Sequence, residues 1–565
     1  MHRRLPLCTT AMLVAAATFA TPAPAATPAA PSATPHHFSA AIDAGDFSTY
    51  LKAVSSDAFE GRKPGTEGAR RTVDYLVAQF KRMGLQPGNH GQWFQTVPAV
   101  STTLQHPGQV RLDVTGSGHT LSFAYGSDMV AVTLQAKPKA TLKQSDVVFV
   151  GYGIDAPEYR WNDYRDLDVK GKTVIVLVND PGYATQDPKL FRGRTMTYYG
   201  RWTYKYEEAA REGAAACFIV HATGPAGYPW SVVRNSWSGP QLSLPAGKDA
   251  APRLPVAGWL SGAAARRLFA ASGLDFDKLK DAATHRSFKP VPLKAQASIT
   301  LDSAIRHTQS RNVLALLKGS VHPEQAVVYS AHWDHFGRDP KLKGDQIYNG
   351  AIDNGTGLAG LLEIAEAFAH QRPQPKRSLL FAAVTMEESG LLGSQYYVEH
   401  PVFPLDRTVA DINMDALDII GPAKNMIVVG YGQSQLEDIL KDVLAKQGRH
   451  ASPEPTPENG FYFRSDHFSF AKAGVPAMDT LTGDDLVDGG TARGRALLAD
   501  YTAHRYHTPQ DNYDPHWDFR GVVEDLQALH DVGQRLADGN DWPQWNTGSE
   551  FRARRQAMMS ADSAH

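Results

Sequence analysis

Hydrophobic residues recur every three or four positions between Thr66 and Met83, which is the spacing of one face of an α-helix. Gly84 follows directly and supplies a helix stop. Gly61 and Pro64-Gly65-Thr66 precede this stretch and are typical of a turn before a helix. The pattern therefore predicts an amphipathic helix over 66–83, with Val73, Leu76, Val77, Phe80 and Met83 on its buried face.

From about Val97 the pattern changes to short β-like runs that glycine and proline interrupt. Strands are predicted at 146–150, 173–178 and up to 220, with a helical stretch around 206–210 between the last two. Histidine and acidic residues at metal-ligand spacing are missing from this sequence up to about Ser298. The middle of the chain is therefore predicted to be a β-rich folding unit without catalytic residues.

After about Arg311 strand patterns alternate with a helix pattern. Strands are predicted at 325–331, 378–385, 409–412 and 475–480, and a helix at 358–369. This alternation is typical of an α/β fold with a mainly parallel, mixed sheet flanked by helices. In such sheets the functional site lies beyond the carboxyl ends of the strands.

The amino-acid composition limits the classes of function that are expected for this chain. A chain of 565 residues is too long for one ordinary domain. Hydrophobic residues make up 42% and charged residues 21%, the balance of a soluble globular protein. The net charge of -2 gives no basic surface for nucleic acid, so nucleic acid is not expected as a partner.

The N-terminal residues have the pattern of a secretory signal peptide. Arg3 and Arg4 precede an apolar stretch, and Ala23-Pro24-Ala25 fits a cleavage site. The Ala/Pro/Thr-rich residues that follow are predicted to be a disordered spacer. No later apolar run approaches the roughly 18 residues of a membrane span, so a secreted or periplasmic protein without a membrane span after cleavage is expected.

Only two cysteines occur, and one of them, Cys8, lies in the predicted signal peptide. Cys217 lies within a run of small and apolar residues and is expected to be a buried hydrophobic side chain rather than a nucleophile. The mature chain therefore cannot form an internal disulfide and is expected to depend on packing and on metal.

Five short segments carry the residues for a catalytic site. The first, third and fourth come directly after predicted strands, at the sheet edge where a site is expected. Each segment alone has an ordinary structural explanation, such as a turn or a solvated pair of charges. The segments are Ser330-Ala331-His332-Trp333-Asp334-His335, Gly350-Ala351-Ile352-Asp353-Asn354-Gly355, Met386-Glu387-Glu388-Ser389-Gly390, Asp411-Ile412-Asn413-Met414-Asp415 and Tyr506-His507-Thr508-Pro509.

Their residue types suit a pair of zinc ions. Zinc binds histidine nitrogen and carboxylate oxygen, and a catalytic site keeps a position for water. Two metals held roughly 3.5–4 Å apart need a bridging ligand, which one carboxylate can provide. Two histidines and three carboxylates give one bridge and two further ligands for each metal. The adjacent Glu387 and Glu388 offer one ligand and one unligated base.

These segments resemble the co-catalytic two-zinc peptidase family that includes bacterial leucyl aminopeptidases and glutamate carboxypeptidase II. Gly61-Arg62 followed by Gly65-Thr66 and Gly68 matches an N-terminal motif of that family. The middle of the chain resembles an inserted protease-associated domain. The segments that carry this second resemblance are 148–153, 169–174 and 213–215.

The resemblance implies a role for each candidate. Asp353 would bridge the two zinc ions, Glu388 and His507 would complete one metal, and His332 and Asp415 the other. Glu387 would be the general base, Asp334 would orient His332, and the Asp353–Asn354 peptide would be cis. Tyr462, which precedes Arg464-Ser465-Asp466-His467, is a candidate oxyanion donor. His335 is expected to support the site rather than bind metal, and His467 to hold its own loop.

The predicted function is a secreted zinc exopeptidase that acts on peptides or proteins with free N-termini. A carboxypeptidase needs donors that grip a carboxylate, and Arg464 is the only obvious candidate near a site motif, whereas the site carboxylates would attract a substrate ammonium group, so an aminopeptidase is favoured. A carboxypeptidase or dipeptidase on the same metals remains the alternative. A single-zinc glutaminyl cyclase and a non-catalytic, receptor-like binding protein are further alternatives.

The predicted organisation has six parts. They are a signal peptide at 1–25, a spacer at 26–37, an N-terminal part of the peptidase domain at 38–96, an inserted protease-associated domain at 97–298, the zinc peptidase catalytic domain at 299–545 and a C-terminal tail at 546–565.

Overall fold

The structure is a computed structural model that describes residues 39–116, 118–247 and 250–562. The predicted signal peptide and spacer therefore lie outside the described residues. Within these ranges, no helix combines the length and the apolar character that crossing a membrane would require.

The helices fall mainly into two groups, one early and one late in the chain, with shorter helices between them. Their bounds are α1 (Ala44–Val54), α2 (Glu67–Arg82), α3 (Pro181–Thr185), α4 (Trp202–Arg211), α5 (Thr223–Ala226), α6 (Trp230–Ser236), α7 (Gly262–Ala271), α8 (Phe276–Ala282), α9 (Gly357–His370), α10 (Leu392–Glu399), α11 (Leu436–Lys446), α12 (His467–Ala473), α13 (Gly490–His504), α14 (Arg520–Asp538) and α15 (Arg552–Asp562).

The strands form two large arrays and two small hairpin-like pairs. Their bounds are β1 (Gln86–Pro87), β2 (Phe94–Leu104), β3 (Arg111–Gly116), β4 (His119–Ala124), β5 (Met129–Val132), β6 (Lys139–Phe149), β7 (Asp155–Ala156), β8 (Trp161–Asn162), β9 (Thr173–Leu177), β10 (Ala216–Val220), β11 (Pro240–Ser243), β12 (Val256–Leu260), β13 (Val291–Leu317), β14 (His322–His332), β15 (Gly337–Arg338), β16 (Ile347–Tyr348), β17 (Arg377–Val384), β18 (Thr408–Asn413), β19 (Asn425–Val428), β20 (His450–Pro453) and β21 (Ala477–Thr482).

The first array is the predicted mainly parallel, mixed sheet. Strand β14 pairs in parallel with β17 on one side and with β18 on the other, and β18 pairs in parallel with β21. The antiparallel partners β13, β2 and β11 extend the sheet beyond β17. Strands β14, β17 and β18 thus lie side by side, and their carboxyl ends share one edge.

The second array comes from the middle of the chain. Strands β6, β9, β10 and β12 pair in parallel, and β5, β3 and β4 add antiparallel pairs. The N-terminal half of β13 pairs with β6, and its C-terminal half pairs with β2. One continuous strand therefore joins the two arrays, and it runs through the position at which the inserted domain was predicted to end. The division into domains stays a proposal.

Helices pack on both faces of the first sheet, as an α/β fold requires. One face is covered by α1, α2, α9 and α14, whose apolar side chains share a core with β14 and β17. The other face packs against α10 and α12. Helix α9 is buried from Gly357 to Phe368, which explains why this stretch is apolar apart from Glu363 and Glu366.

Most predicted elements are present within a few residues of their expected ends. Helix α2 begins after Thr66, whose side chain accepts a hydrogen bond from the Ala69 N–H and so caps the helix. One helix has no counterpart among the predicted elements: the 15-residue α13 lies between Asp479 and Tyr506.

Candidate metal centre

The strand ends bring three of the predicted ligands to one edge of the first sheet. His332 is the last residue of β14, while Glu388 follows β17 and Asp415 follows β18. Asp353 lies in the turn that leads into α9, and His507 follows α13. We refer to these five residues as the ligand cluster.

The two oxygens of Asp353 face two different histidines. Its Oδ1 lies 3.4 Å from His332 Nε2, and its Oδ2 lies 3.0 Å from His507 Nε2. His332 Nε2 also lies 3.1 Å from Asp415 Oδ1, whereas His507 Nε2 lies 3.4 Å from Glu388 Oε2. The cluster thus divides into two halves that share Asp353.

A sixth side chain, that of His335, reaches the same half as Glu388. Its Nδ1 lies 2.6 Å from Glu388 Oε1, and its ring is buried. Ligand atoms of His335, Asp353 and Glu388 lie within 4.8 Å of one another. The sequence predicts a supporting position for His335, and this contact with Glu388 is compatible with it.

Two residues without a role in the sequence prediction hold Asp353. Asp511 accepts hydrogen bonds from the N–H groups of Ile352 and Asp353, at 3.0 to 3.1 Å. Arg62 is buried, and its guanidinium donates to main-chain carbonyls of Trp333, Asn349 and Gly350 among others. The loops that carry His332 and Asp353 are therefore fastened to one arginine, which explains the Gly61-Arg62 motif.

The turn at Asp353 is also tied to the Asp415 loop. The Asp353–Asn354 peptide is cis, as predicted. Asn354 Nδ2 donates to Met414 O at 2.9 Å, and its Oδ1 accepts from Ala416 N at 3.1 Å. A Cβ on Gly357 would lie 2.2 Å from Asn354 Oδ1, so this position requires glycine.

Backbone strain gathers around the cluster. Met386, Ala416 and His507 have positive φ values of 56°, 54° and 57°. Residues other than glycine adopt this left-handed region at a cost that the surrounding structure must offset, and such residues concentrate at functional sites. The strained positions adjoin Glu387 and Asp415 and include His507 itself.

Asp334 links His332 to Glu387 by two different atoms. Its main-chain carbonyl oxygen lies 3.1 Å from His332 Nδ1, while its Oδ1 accepts the Glu387 N–H at 3.1 Å. The carboxylate itself lies 4.0 Å from His332 Nδ1. Asp334 therefore contacts the imidazole mainly through its backbone, and its side chain fixes the segment that carries the two glutamates.

The electrostatics are those of crowded, buried carboxylates. Burial, together with the charges of Asp353 and Glu387, raises the pKa of Glu388 well above its usual range. Burial also raises the pKa of Glu387 strongly, with His332 opposing it. Burial opposes the ionisation of Asp353, but hydrogen bonds from His332 and His507 bring its pKa well below the usual value.

Tyr462 is buried beside His467 and away from the described contacts of the cluster. Its ring centroid lies 4.7 Å from that of His467, and it also packs against Phe463 and Phe551. Within the described ranges its hydroxyl has no hydrogen-bond partner. Its assignment as an oxyanion donor stays a prediction. His467 Nδ1 lies 3.8 Å from Asp479 Oδ2, and neither ring nitrogen has a hydrogen-bond partner in the described ranges, so its role in holding the loop stays a prediction.

The donor set fits zinc. Imidazole nitrogens and carboxylate oxygens from both halves converge, and zinc takes these ligands. Across the described residues, no lysine or arginine forms a salt bridge with the cluster carboxylates, whose ionic contacts are with histidines. The three carboxylates of the cluster outnumber its two histidines, and a bound cation would reduce the cost of burying this excess negative charge.

Comparison with known proteins now identifies this part of the molecule. Residues 312–529 match Peptidase family M28. This segment contains the entire ligand cluster and the strands that carry it. The predicted recognition of a zinc peptidase family is therefore confirmed for this part of the chain.

Proteins similar in sequence to this chain are named as an aminopeptidase and a probable zinc metalloprotease. The chain is 31% identical over 240 residues to Aminopeptidase NAALADL1 of Rattus norvegicus, covering 40% of this chain and 30% of that protein. It is 36% identical over 113 residues to a probable zinc metalloprotease of Pyrenophora teres f. teres, covering 20% and 23%. The matched segments thus span less than a third of each relative.

Among solved structures, an aminopeptidase from Aneurinibacillus sp. strain AM-1 aligns over 89% of this chain and 95% of its own. The sequence identity is 18% and the TM-score is 0.48.

Proposed function

We propose that this chain is an exported aminopeptidase that holds two zinc ions and hydrolyses peptide bonds at free N-termini. The observation that supports this proposal best is the position of Asp353. One of its oxygens faces His332 and the other faces His507, so a single carboxylate serves both halves of the cluster. A bridging carboxylate is what a two-metal hydrolytic site needs.

In this proposal the zinc ions, when bound, polarise the scissile carbonyl and increase the acidity of water. Asp353, Glu388 and His507 would hold one ion, and Asp353, His332 and Asp415 would hold the other. Glu387 accepts a proton from the attacking water and returns it to the leaving amine, since its carboxylate lies at the cluster without belonging to either ligand set.

The free N-terminus is favoured because the site is lined by carboxylates that attract an ammonium group. Export rests on the N-terminal sequence alone. A carboxypeptidase or dipeptidase is the second candidate, since Arg464 offers a cation near the site. A glutaminyl cyclase would differ in holding one zinc.

The experiment combines metal analysis with three versions of one peptide, which are free at both ends, N-acetylated, or amidated at the C-terminus. We expect two zinc ions per chain, and cleavage that acetylation abolishes and amidation leaves unchanged. Glu387→Gln serves as the control for a contaminating peptidase. Loss of cleavage on amidation alone would instead make the enzyme a carboxypeptidase, and one zinc per fully active chain would refute the two-metal proposal.

A further inference from the structure

Two of the five site segments begin with polar residues that the proposed mechanism does not use. Ser330 lies two residues before His332 on β14, and Asn413, the last residue of β18, lies two residues before Asp415. Asp411 opens the fourth segment, and all three of these polar side chains are buried. Buried polar groups are nearly always hydrogen-bonded, so the partners of these side chains show what they do.

The strand register places three polar side chains next to one another. Ser330 of β14 pairs with Asn413 of β18, and Asn413 pairs in turn with Asp479 of β21, in both cases between parallel strands. We refer to Ser330, Asn413 and Asp479 as the polar row. Residues two positions apart on a strand share a face of the sheet. The polar row therefore lies on the same face as His332, directly before the carboxyl edge that carries the ligands.

Asn413 joins the polar row by three hydrogen bonds of its side chain. Its Nδ2 donates to Ser465 Oγ at 2.8 Å and to Asp479 Oδ1 at 3.1 Å, and its Oδ1 accepts from Ser330 Oγ at 3.0 Å. Ser465 belongs to the segment that leads into α12. One amide thus connects three neighbouring strands and the start of a helix. A carboxylate or a hydroxyl could not replace it, since neither supplies two donors together with an acceptor.

The hydrogen bonds at Ser330 require Asp411 to be a neutral acid. Ser330 Oγ lies 2.9 Å from Asp411 Oδ1 as well as 3.0 Å from Asn413 Oδ1, so two oxygens face one hydroxyl. A hydroxyl carries a single proton, and this proton is available to Asn413 only when Asp411 donates its own. Asp411 Oδ2 is buried without a partner in the described ranges, which disfavours an ionised carboxylate. Burial accordingly raises the pKa of Asp411 well above its usual value, although the Ser330 hydrogen bond opposes the rise.

The polar row sets the lateral spacing of the two strand ends that carry His332 and Asp415. Main-chain bonding continues past the row, because Met414 N donates to Ser330 O at 2.9 Å. Directly beyond this bond, His332 Nε2 lies 3.1 Å from Asp415 Oδ1. The hydrogen bonds that Asn413 makes do not reach the other half of the ligand cluster. A change at Asn413 should therefore act on one half of the metal centre.

We propose that Asn413 is a positioning residue for the half of the metal centre formed by His332 and Asp415. Its amide holds β14 and β18 at the spacing that lets the two ligands reach one ion. Asp411 supports it by leaving the Ser330 proton to Asn413. This inference rests on the proposed two-zinc function and adds to it a residue that belongs to neither ligand set.

Zinc titration of the full chain against a competing chelator tests this inference without any peptide cleavage. N413L removes all three hydrogen bonds and should weaken one zinc site roughly 10- to 100-fold, the range for groups that orient metal ligands, while the other site keeps its affinity. S330A removes one of the bonds and should weaken the same site by roughly 2- to 10-fold. D411N keeps a donor for Ser330 and should leave both zinc affinities unchanged.

S378A is the matched control for a general loss of packing. Ser378 is a buried hydroxyl at the amino end of β17, where its Oγ donates to Pro323 O at 2.8 Å and accepts from Gly319 N at 3.0 Å. S378A should lower the Tm of the metal-free protein, as S330A does, and leave both zinc affinities unchanged. Equal losses of zinc affinity in S330A and S378A, or unchanged affinity in N413L and S330A, would overturn the inference.

A double-mutant cycle identifies the half that Asn413 serves. N413L should cause little further loss of zinc affinity when combined with D415N, because both changes act on one half, and its full loss when combined with E388Q. The full loss in both combinations would place the effect of Asn413 outside that half and refute the inference. If N413L does not fold, S330A takes its place in both combinations. A native chain with one zinc would contradict the two-metal proposal alone, and the inference would still require N413L or S330A, but not S378A, to weaken that site.

Discussion

His335 Nδ1 lies 2.6 Å from Glu388 Oε1, so a histidine outside the proposed ligand set holds one of the proposed ligands in position. Loss of a partner that orients a metal ligand typically weakens metal binding by roughly 10- to 100-fold. This relationship gives the first prediction.

His335→Phe should weaken zinc binding in the Glu388 half by roughly 10- to 100-fold, because Glu388 loses the group that fixes its carboxylate. His335→Asn places an amide nitrogen near the Nδ1 position and should restore part of the affinity. Titration with a competing chelator measures both constants per chain. His322→Asn, on the surface at the start of β14, is the control. Unchanged zinc affinity in His335→Phe would contradict the positioning role.

Asp353→Asn should weaken both zinc sites and abolish hydrolysis. The amide keeps the size of the side chain but loses the charge and one of the two oxygens that face His332 and His507. Metal content and turnover, measured on one preparation, test this. Asp415→Asn is the matched comparison, because Asp415 belongs to one half only, and it should lower the occupancy of a single site. If Asp353→Asn also lost only one zinc, the bridging assignment would be wrong.

The sequence was sufficient to predict the parts of the site that follow from strand ends. His332, Glu388 and Asp415 could be placed together because runs of apolar residues mark β14, β17 and β18, and parallel strands end at one edge. Asp353 and His507 were instead predicted from short sequence motifs, since neither residue lies at a strand end.

Residues that support the site by hydrogen bonds to main-chain groups far away in the sequence could not be predicted in this way. Arg62 reaches carbonyls about 270 to 290 positions away, and Asp511 binds N–H groups of the Asp353 turn. Periodicity carries no information on such contacts. The position of Asp511 four residues after His507 was the one available signal.

Two elements contain exposed stretches whose sequence shows no regular hydrophobic pattern. In α13 Gly494 is the only buried residue, so its sequence has no apolar face that would predict a helix. The middle of β13 is exposed from Arg306 to Gln309, where alternation between buried and exposed residues fails. The strand that joins both sheets is not among the predicted elements.

Glu363→Gln should stabilise the fold near neutral pH. Glu363 is 2% exposed, and its Oε1 accepts the Asp43 N–H at 2.9 Å, a bond that the amide oxygen can keep. Burial, and then the charge of Glu366, raises its pKa to about 9, against 4.5 as its ordinary value. The folded state therefore retains a proton that the unfolded state releases, and stability is lost as pH rises from about 4.5 to about 9.

The amide has no such proton, so the gain over the native chain should grow from near zero at pH 4.5 to on the order of 2 kcal/mol at pH 7. Thermal unfolding of both proteins at pH 5 and pH 8 measures it as a difference in Tm. Glu399→Gln, at an exposed position, should show no such trend. An equal shift in Tm at both pH values would contradict the linkage.

The last prediction separates the two adjacent glutamates. Glu387→Gln should keep both zinc ions and the fold but lower kcat by roughly 100- to 10,000-fold, because an amide cannot accept the proton of the attacking water. Glu388→Gln should instead reduce zinc occupancy, since this side chain lies 3.4 Å from His507 and is held by His335. Excess zinc should therefore restore part of the activity of Glu388→Gln and none of that of Glu387→Gln. Restoration in the opposite variant would mean that Glu387 is the ligand and Glu388 the base. The geometry argues against that exchange, because Glu387 Oε2 lies 3.9 Å from His332 Nε2, farther than any oxygen assigned here as a ligand lies from its histidine.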